Sequence, residues 1–294
     1  MLKSIKMAKT NKILGVLALL GMVFGSTQVF AAYTIDGDLS DWGIGINGVW
    51  SQNSTWLSNS GVSFVVEDNK DPQYNVNPMG VHIKGTGHAY STYYEDMITL
   101  FNGVEVIEPY GGEEYDIEAL YMDQDTEFLY VAIVTSVPPN DPSNKAQDLA
   151  LNIDKNMGTG EYGYEYGVKL GSITGGVDQF GIYFNPDWLP GHLAPDVKPT
   201  MIDSGTKVGT AQGVYSDSGI MDNGKTNYII ELAIPKSALG NPAAPVSLYD
   251  MFIAEYCGND HIPTASEFPI LITGALLLAS PAFAYLLAKK KQKN

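Results

Sequence analysis

The stretch Phe128-Leu129-Tyr130-Val131-Ala132-Ile133-Val134 decides the fold class. Nearly all of its side chains are apolar, and β-branched and aromatic residues dominate, which is typical of a central strand covered on both faces. The predicted strand is Phe128–Thr135. Seven more short runs rich in Val, Ile, Tyr and Phe lie between turn residues: Val62–Glu67, Tyr115–Met122, Leu149–Ile153, Tyr162–Leu170, Gln179–Phe184, Tyr228–Pro235 and Leu248–Tyr256. Runs of this kind joined by turns predict an all-β fold, an antiparallel β-sandwich.

The run Tyr162–Leu170 has the clearest alternation. Tyr162, Tyr164 and Tyr166 are separated by single polar or glycine residues, and this period of two predicts one strand with an aromatic face. Pro235–Leu239 is predicted to form one short helical turn. Segments without such patterns are predicted to be loops, namely residues 72–87, 185–213 and 240–245.

The charge of the chain excludes one large class of function. The 294 residues include 33 acidic and 17 basic side chains, and every basic one is a Lys. Eight of these Lys lie near the two ends, so nine remain against 33 acids in between. A protein that binds nucleic acid by neutralising phosphates needs clustered Lys and Arg, so that function is excluded. The same charge argues against docking of the folded part on anionic lipid.

Residues 1–31 have the three zones of a secretory signal peptide. Four Lys precede the apolar run Ile13–Phe24, and Val29-Phe30-Ala31 fits a small-residue cleavage site before Ala32. The alternative is an N-terminal membrane anchor, because no charge follows until Asp36. Both interpretations export residues 32–263, the predicted β-sandwich domain. Its one cysteine, Cys257, excludes an internal disulfide.

The C-terminal residues 264–294 repeat this design in mirror image. Pro269–Ala288 is an uncharged stretch of 20 residues, long enough to form a transmembrane helix, and four Lys follow it. One interpretation is a permanent membrane anchor. The other is a sorting tail that a membrane transpeptidase removes. The sequence leaves both open.

The segment before this stretch carries a resemblance. Ser266-Glu267-Phe268-Pro269, followed by the apolar span and the Lys cluster, resembles the PEF-type and PEP-type C-terminal sorting signals of archaea and bacteria. Ser266 stands where the family usually has Pro. The resemblance implies that Glu267, Phe268 and Pro269 form the sorting signal, and that the partner is an archaeosortase-like or exosortase-like transpeptidase.

A second resemblance begins with the motif Ile35-Asp36-Gly37-Asp38-Leu39-Ser40-Asp41-Trp42. It is similar to the opening of family 9-like carbohydrate-binding modules and of DOMON-type sandwiches. Further matching blocks follow in order: residues 115–121, 123–125, 128–132, 148–154, 162–167 and 255–260. The resemblance implies an extracellular β-sandwich, displayed at the cell surface, without an assigned catalytic activity. Trp42 is predicted to lie in its core.

Two groups of acids are candidate metal ligands. Asp36, Asp38 and Asp41 lie within six residues, and Asp123 and Asp125 are separated by one. Carboxylates two residues apart in a loop can turn toward one Ca²⁺, which needs 6–8 oxygens. The alternative is that they are solvated turn residues. A third acidic segment fails the EF-hand pattern, because Asp154, Asn156 and Glu165 occupy positions 1, 3 and 12 but Thr159 replaces the glycine at position 6.

Aromatic residues in polar segments are candidate sugar ligands. The faces of Trp50, Trp56, Tyr110 and Trp188 can stack on sugar rings, with Asn and Asp supplying hydrogen bonds. The alternative is that these rings plug the ends of the core. Asn53 begins a glycosylation sequon, which is usable because the chain is exported.

The sequence therefore predicts a non-catalytic protein of the cell surface or extracellular matrix, in which binding of carbohydrate is supported by Ca²⁺. One alternative is an envelope enzyme that acts on polysaccharide through paired carboxylates such as Glu113/Glu114 or Asp116/Glu118. Another is a haem-binding electron-transfer module that uses ligands such as His82 or His88.

Overall fold

A computed structural model of the chain describes twelve stretches, and the account below is confined to them: residues 33–44, 61–66, 81–84, 91–93, 98–101, 104–107, 116–139, 147–171, 179–192, 198–222, 225–256 and 261–262. By its contacts the chain divides into residues 1–34 and residues 35–294. Of the first unit the structure describes Tyr33 and Thr34. Every element below belongs to the second unit.

The described residues form fifteen strands and two short 3-10 helices. In chain order the strands are β1 (Ser63–Val66), β2 (Val81–Lys84), β3 (Ser91–Tyr93), β4 (Ile98–Phe101), β5 (Val104–Ile107), β6 (Ala119–Gln124), β7 (Phe128–Thr135), β8 (Leu149–Leu151), β9 (Tyr166–Val168), β10 (Gly181–Leu189), β11 (Met201–Thr210), β12 (Gln212–Asp222), β13 (Lys225–Pro235), β14 (Met251–Ala254) and β15 (His261–Ile262). The 3-10 helices are Lys236–Leu239 and Leu248–Asp250.

All the described strand pairs are antiparallel. Seven strands form one sheet in the order β12-β13-β7-β6-β1-β2-β3, six form a second in the order β11-β10-β9-β8-β14-β15, and β4 pairs with β5. The chain passes from the edge of the second sheet to the edge of the first between β11 and β12. The prediction of an antiparallel all-β fold is confirmed for the described residues.

One apolar cluster joins the two large sheets. It combines Leu120, Ile133 and Ile230 of the seven-stranded sheet with Leu149 and Val168 of the six-stranded sheet, all of them fully buried. Because successive side chains of a strand point to opposite faces, these residues mark the facing sides of the sheets. A shared core between two antiparallel sheets is consistent with a β-sandwich.

The central strand follows its sequence closely. β7 has the predicted bounds, Phe128–Thr135, and lies between β6 and β13 with both faces buried. Its register places Ile133 opposite Leu120 on one side and Ile230 on the other. The predicted helical turn after Pro235 is also confirmed, as the 3-10 helix Lys236–Leu239.

The predicted strand Tyr162–Leu170 is wrong in its first half. The regular strand is only Tyr166–Val168, because the chain turns at Tyr162 (φ 55°) and Gly163 (φ 88°). Glycine is favoured at position 163 because its φ lies in the left-handed region, and an added Cβ would also lie 3.1 Å from the Cα of Met157.

Two predicted loops contain strands. Residues 185–213 include the end of β10, all of β11 and the start of β12, and residues 72–87 include β2. Along β11 the side chains from Asp203 to Val208 are exposed. A strand whose side chains face solvent has no apolar alternation, and for this reason the pattern in the sequence did not indicate it.

Candidate functional site

The motif at residues 35–42 is built around a carboxylate on β13. The backbone N–H groups of Asp36 and Gly37 donate to Glu231 Oε2, at 3.0 and 2.9 Å, and the indole N–H of Trp42 donates to Glu231 Oε1 at 2.8 Å. Trp42 is fully buried, which confirms its predicted place in the core. Burial raises the pKa of Glu231, although these three hydrogen bonds oppose the rise and the nearby charge of Asp41 adds to it.

The aspartates of this motif shape its turns. Asp36 Oδ1 accepts the N–H of Asp38, and Asp38 Oδ1 accepts the N–H of Ser40, both at 2.9 Å. Asp41 is exposed. Among the residues that the structure describes, no three His, Cys, Asp or Glu side chains gather closely enough to hold a metal ion, and this includes Asp36, Asp38 and Asp41.

The second predicted acid group lies at the turn between β6 and β7. Asp125 Oδ1 accepts the N–H groups of Glu127 and Phe128 at 2.7 Å, and its Oδ2 accepts the hydroxyl of Tyr130 at 2.8 Å. Burial alone would raise the pKa of Asp125, but these bonds and the charge of Lys236 together lower it. Both oxygens of the Asp125 carboxylate thus accept hydrogen bonds that stabilise the turn.

An open groove of about 460 Å³ lies beside this turn. One of its walls is polar and carries both Asp123 and Asp125. The other is apolar and is formed by the segment Pro242–Pro245, with Gly61 and Met122 nearby. The polar wall consists of Asp123, Gln124, Asp125, Thr126 and Lys236. Small-molecule sites are commonly concave surfaces that combine apolar lining with a few polar groups.

Hydrogen bonds hold the two walls in place. The amide of Gln124 donates to the carbonyl of Val246 at 2.6 Å and accepts the N–H of Val246 at 3.2 Å, as a neighbouring strand would. The ammonium of Lys236 donates to the carbonyl of Asp125 at 2.5 Å, and that of Lys155 donates to the carbonyl of Pro245 at 3.0 Å. The groove is therefore largely preformed.

Trp188 is placed away from this groove. It is 3% exposed and packs with Tyr164, Tyr183, Ile202 and Phe252 on the face of the six-stranded sheet that points away from the shared core. Its ring offers no open face to a sugar in this arrangement. The other predicted aromatic ligands, Trp50, Trp56 and Tyr110, lie outside the described residues.

The carboxylates of Asp116 and Glu118 are enclosed. Their residues are 0% and 1% exposed, and the side-chain amide of Asn227 donates to Glu118 Oε1 at 3.0 Å. Burial and the nearby charge of Glu118 raise the pKa of Tyr121 well above its ordinary value. A polysaccharide has no path to such a pair in this conformation.

Sequence reasoning missed a buried ion pair on the six-stranded sheet. Lys169 and Asp148 are both 0% exposed, with 2.8 Å between Nζ and Oδ2. Asp148 also accepts the N–H groups of Leu170 and Ile202, and Lys169 donates to the carbonyl of Ile202. Burial raises the pKa of Asp148 and the charge of Lys169 opposes the rise. The only indication in the sequence is a Lys within the predicted strand Tyr162–Leu170. A Lys in a strand is usually exposed to solvent, so the sequence does not predict its burial.

Several predicted sites lie outside the described residues. They are the sorting signal Glu267, Phe268 and Pro269, the sequon at Asn53, the span Pro269–Ala288, Cys257, His88 and Glu113/Glu114. His82 lies on β2, of which the structure describes the backbone. No helix within the described stretches is long and apolar enough to cross a membrane.

The described residues thus form an antiparallel β protein with two large sheets and an open groove beside the turn between β6 and β7. Comparison of the chain with models of protein families, with curated proteins and with solved structures gives no match.

Proposed function

We propose that this chain is a non-catalytic protein of the cell surface or extracellular matrix, a β-sandwich that binds carbohydrate in the groove beside Asp125. The sequence supports the location, because residues 1–31 have the zones of a secretory signal peptide and Pro269–Ala288, followed by four Lys, suits a C-terminal anchor or sorting tail.

The groove supports the choice of ligand. Sugars present an apolar ring face and a rim of hydroxyls, which match a groove lined both by Pro and Ala and by carboxylate, amide, hydroxyl and ammonium groups. The groove is open rather than closed, as a site for a chain polymer must be. This mixed lining of the groove is the observation that carries the proposal.

The state of the acids supports a role without catalysis. Glu231 holds the N-terminal motif, Asp148 holds Lys169, and Asp125 organises the turn, so these carboxylates maintain the fold. Hydrolysis of a glycosidic bond needs two accessible carboxyl groups on either side of the bond. A reducing-sugar assay with any polysaccharide that binds should therefore detect no release.

Binding to a glycan array tests the groove. Thr126 is exposed on the polar wall, whereas Thr206 is exposed on β11. Thr126→Arg should fill the groove and weaken binding at least tenfold, and Thr206→Arg, which adds the same charge and bulk elsewhere, should bind as the natural protein does. Equal binding by the two variants, or a natural protein that binds no glycan, would refute the groove as a sugar site.

Stacking by Trp50, Trp56 and Tyr110 is a further proposed source of sugar binding. Trp50→Ala combined with Trp56→Ala tests it apart from the groove variant, because neither residue is among the described residues that line the groove. Loss of binding in this double variant with retention in Thr126→Arg would transfer the site to the tryptophans. Mass spectrometry of the native protein tests the proposed processing at Glu267-Phe268-Pro269 and glycan addition at Asn53.

A further inference from the structure

The groove beside the turn between β6 and β7 carries more negative than positive charge. Asp123, Asp125 and Lys236 are the charged residues among the described residues that line it. Two carboxylates and one ammonium give this lining a formal charge of −1. The charge of the ligand that fits the groove therefore depends on whether these groups are ionised and on which charges surround them.

Asp125 and Lys236 offset each other within the lining. Burial would raise the pKa of Asp125, but the hydrogen bonds to its carboxylate and the charge of Lys236 together lower it, so Asp125 is ionised at neutral pH. The ammonium of Lys236 is fixed at the same turn, because it donates to the backbone carbonyl of Asp125. The one positive charge of the lining is thus already beside a carboxylate, and the lining as a whole stays negative.

The charges around the groove do not reverse this sign. Lys155 reaches the groove at Pro245, where its ammonium donates to the backbone carbonyl, but it also lies 3.4 Å from Asp250 Oδ2 and is paired with it. Glu127 is exposed at the same turn as Asp125 and adds a further carboxylate.

The charge of the whole folded part acts in the same direction. Between the two terminal segments, nine Lys against 33 acids give a formal charge of −24. A cleft lined by one sign of charge, in a protein of the same sign, concentrates ligands of opposite charge and repels ligands of like charge. The groove is therefore complementary to a cationic ligand and unfavourable for an anionic one.

We propose that the groove takes a glycan whose sugar units carry free amino groups, and that it rejects glycans that carry carboxylate groups. The inference rests on the proposed function, since it names the class of sugar for the same groove. An ammonium in place of a sugar hydroxyl keeps a hydrogen-bond donor for the carboxylates and adds attraction between opposite charges. A carboxylate in that place offers no donor and is repelled by Asp123 and Asp125.

The test compares three forms of one glycan. The backbone that binds best on the array is prepared with a hydroxyl, an amine or a carboxylate at one position of each sugar unit, and binding to the full chain in mild detergent is measured by calorimetry. At pH 5.5 the sugar amines are protonated and Asp carboxylates are ionised. At low salt the amine form should bind about fivefold more tightly than the neutral form, and the carboxylate form about fivefold more weakly, which is the effect of one unit charge at about 4 Å in water. High salt should reduce both differences, because ions screen exposed charges.

Variants assign the preference to the groove. Asp123→Asn removes one charge of the lining at constant size and should reduce the preference for the amine form about twofold or more, while the neutral form binds as it does to the natural protein. Asp203→Asn removes the same charge from an exposed position on β11, outside the described lining of the groove, and should leave the preference unchanged. Thr126→Asp adds a carboxylate at an exposed position of the lining and should increase the preference about twofold, so the test stands even where Asp123→Asn fails to fold.

Failure of this inference differs from failure of the proposed function. Equal binding of the three forms, or tightest binding of the carboxylate form, would overturn the inference and leave the groove as a sugar site. Equal loss of the preference in Asp123→Asn and Asp203→Asn would also overturn it, because the preference would then belong to the net charge of the chain. A natural protein that binds no glycan on the array would overturn both.

Discussion

We predict that the carboxylate of Glu231 is the main group that stabilises the N-terminal motif, residues 35–42, against β13. It accepts three hydrogen bonds, from two backbone N–H groups and from the indole of Trp42. In Glu231→Gln the single amide oxygen can serve one side only, so the amide NH₂ then faces a donor on the other. Hydrogen bonds to charged groups contribute about 1.5–3 kcal/mol each and neutral ones about 1 kcal/mol. Relief of the buried charge offsets part of the loss, and the expected decrease in the free energy of unfolding is about 2–4 kcal/mol.

Urea unfolding of the full chain at pH 7, followed by circular dichroism, measures this change. Glu127→Gln, an exposed position, is the matched control and should change the free energy of unfolding by less than about 0.5 kcal/mol. In a Trp42→Phe background the amide no longer opposes an indole donor, so Glu231→Gln should cost about 1–2 kcal/mol less than in the natural chain. A loss in Glu231→Gln no larger than in the control, or the same loss in both backgrounds, would refute this reasoning.

Three further predictions concern the glycines, the buried ion pair and the turn. Gly37→Ala should reduce the free energy of unfolding by about 1–3 kcal/mol, because φ is +83° and an added Cβ would overlap a serine hydroxyl of β12. Gly219 is the control, with φ +72° and open space around it, and Gly219→Ala should reduce the free energy of unfolding by less in the same urea experiment. Lys169→Met should cost about 3–5 kcal/mol by leaving Asp148 as an unpaired buried charge, and adding Asp148→Asn should recover part of that loss; no recovery would contradict the account. Asp125→Asn should cost about 1–2 kcal/mol at pH 7. Because the folded pKa of Asp125 is lowered, its contribution is complete above the unfolded value of about 3.9 and disappears as pH falls through the folded pKa, so the two proteins should converge in acid.

The sequence predicts the buried strands well and the exposed ones poorly. β7 and β13 are recognisable because their side chains are apolar on both faces, as in Phe128–Thr135. β11 and much of β12 are strands by virtue of their pairing partners, and their own residues carry little hydrophobic pattern. Pattern-based prediction has no access to that long-range pairing. The same limit explains why Tyr162–Glu165 reads as a strand although the chain turns there.

The residues of the candidate site divide in the same way, into those that local sequence patterns indicate and those whose roles depend on long-range contacts. Asp125 is recognisable as a turn residue, and the structure adds that Lys236, more than a hundred positions away, completes the groove wall. The roles of Glu231 and Lys169 depend on partners distant in sequence, and each looks like an ordinary charged residue of a strand. Local patterns therefore identify turns, while the groups that hold the sheets together become visible only through contacts across the fold.

The mature termini of the native protein test the central claim most directly, that terminal segments deliver a β-sandwich to the outside of the cell. Intact-mass spectrometry of the protein recovered from the cell envelope is expected to find a chain that begins at Ala32. A chain that still begins at Met1 and is recovered from the cytosol would contradict the claim.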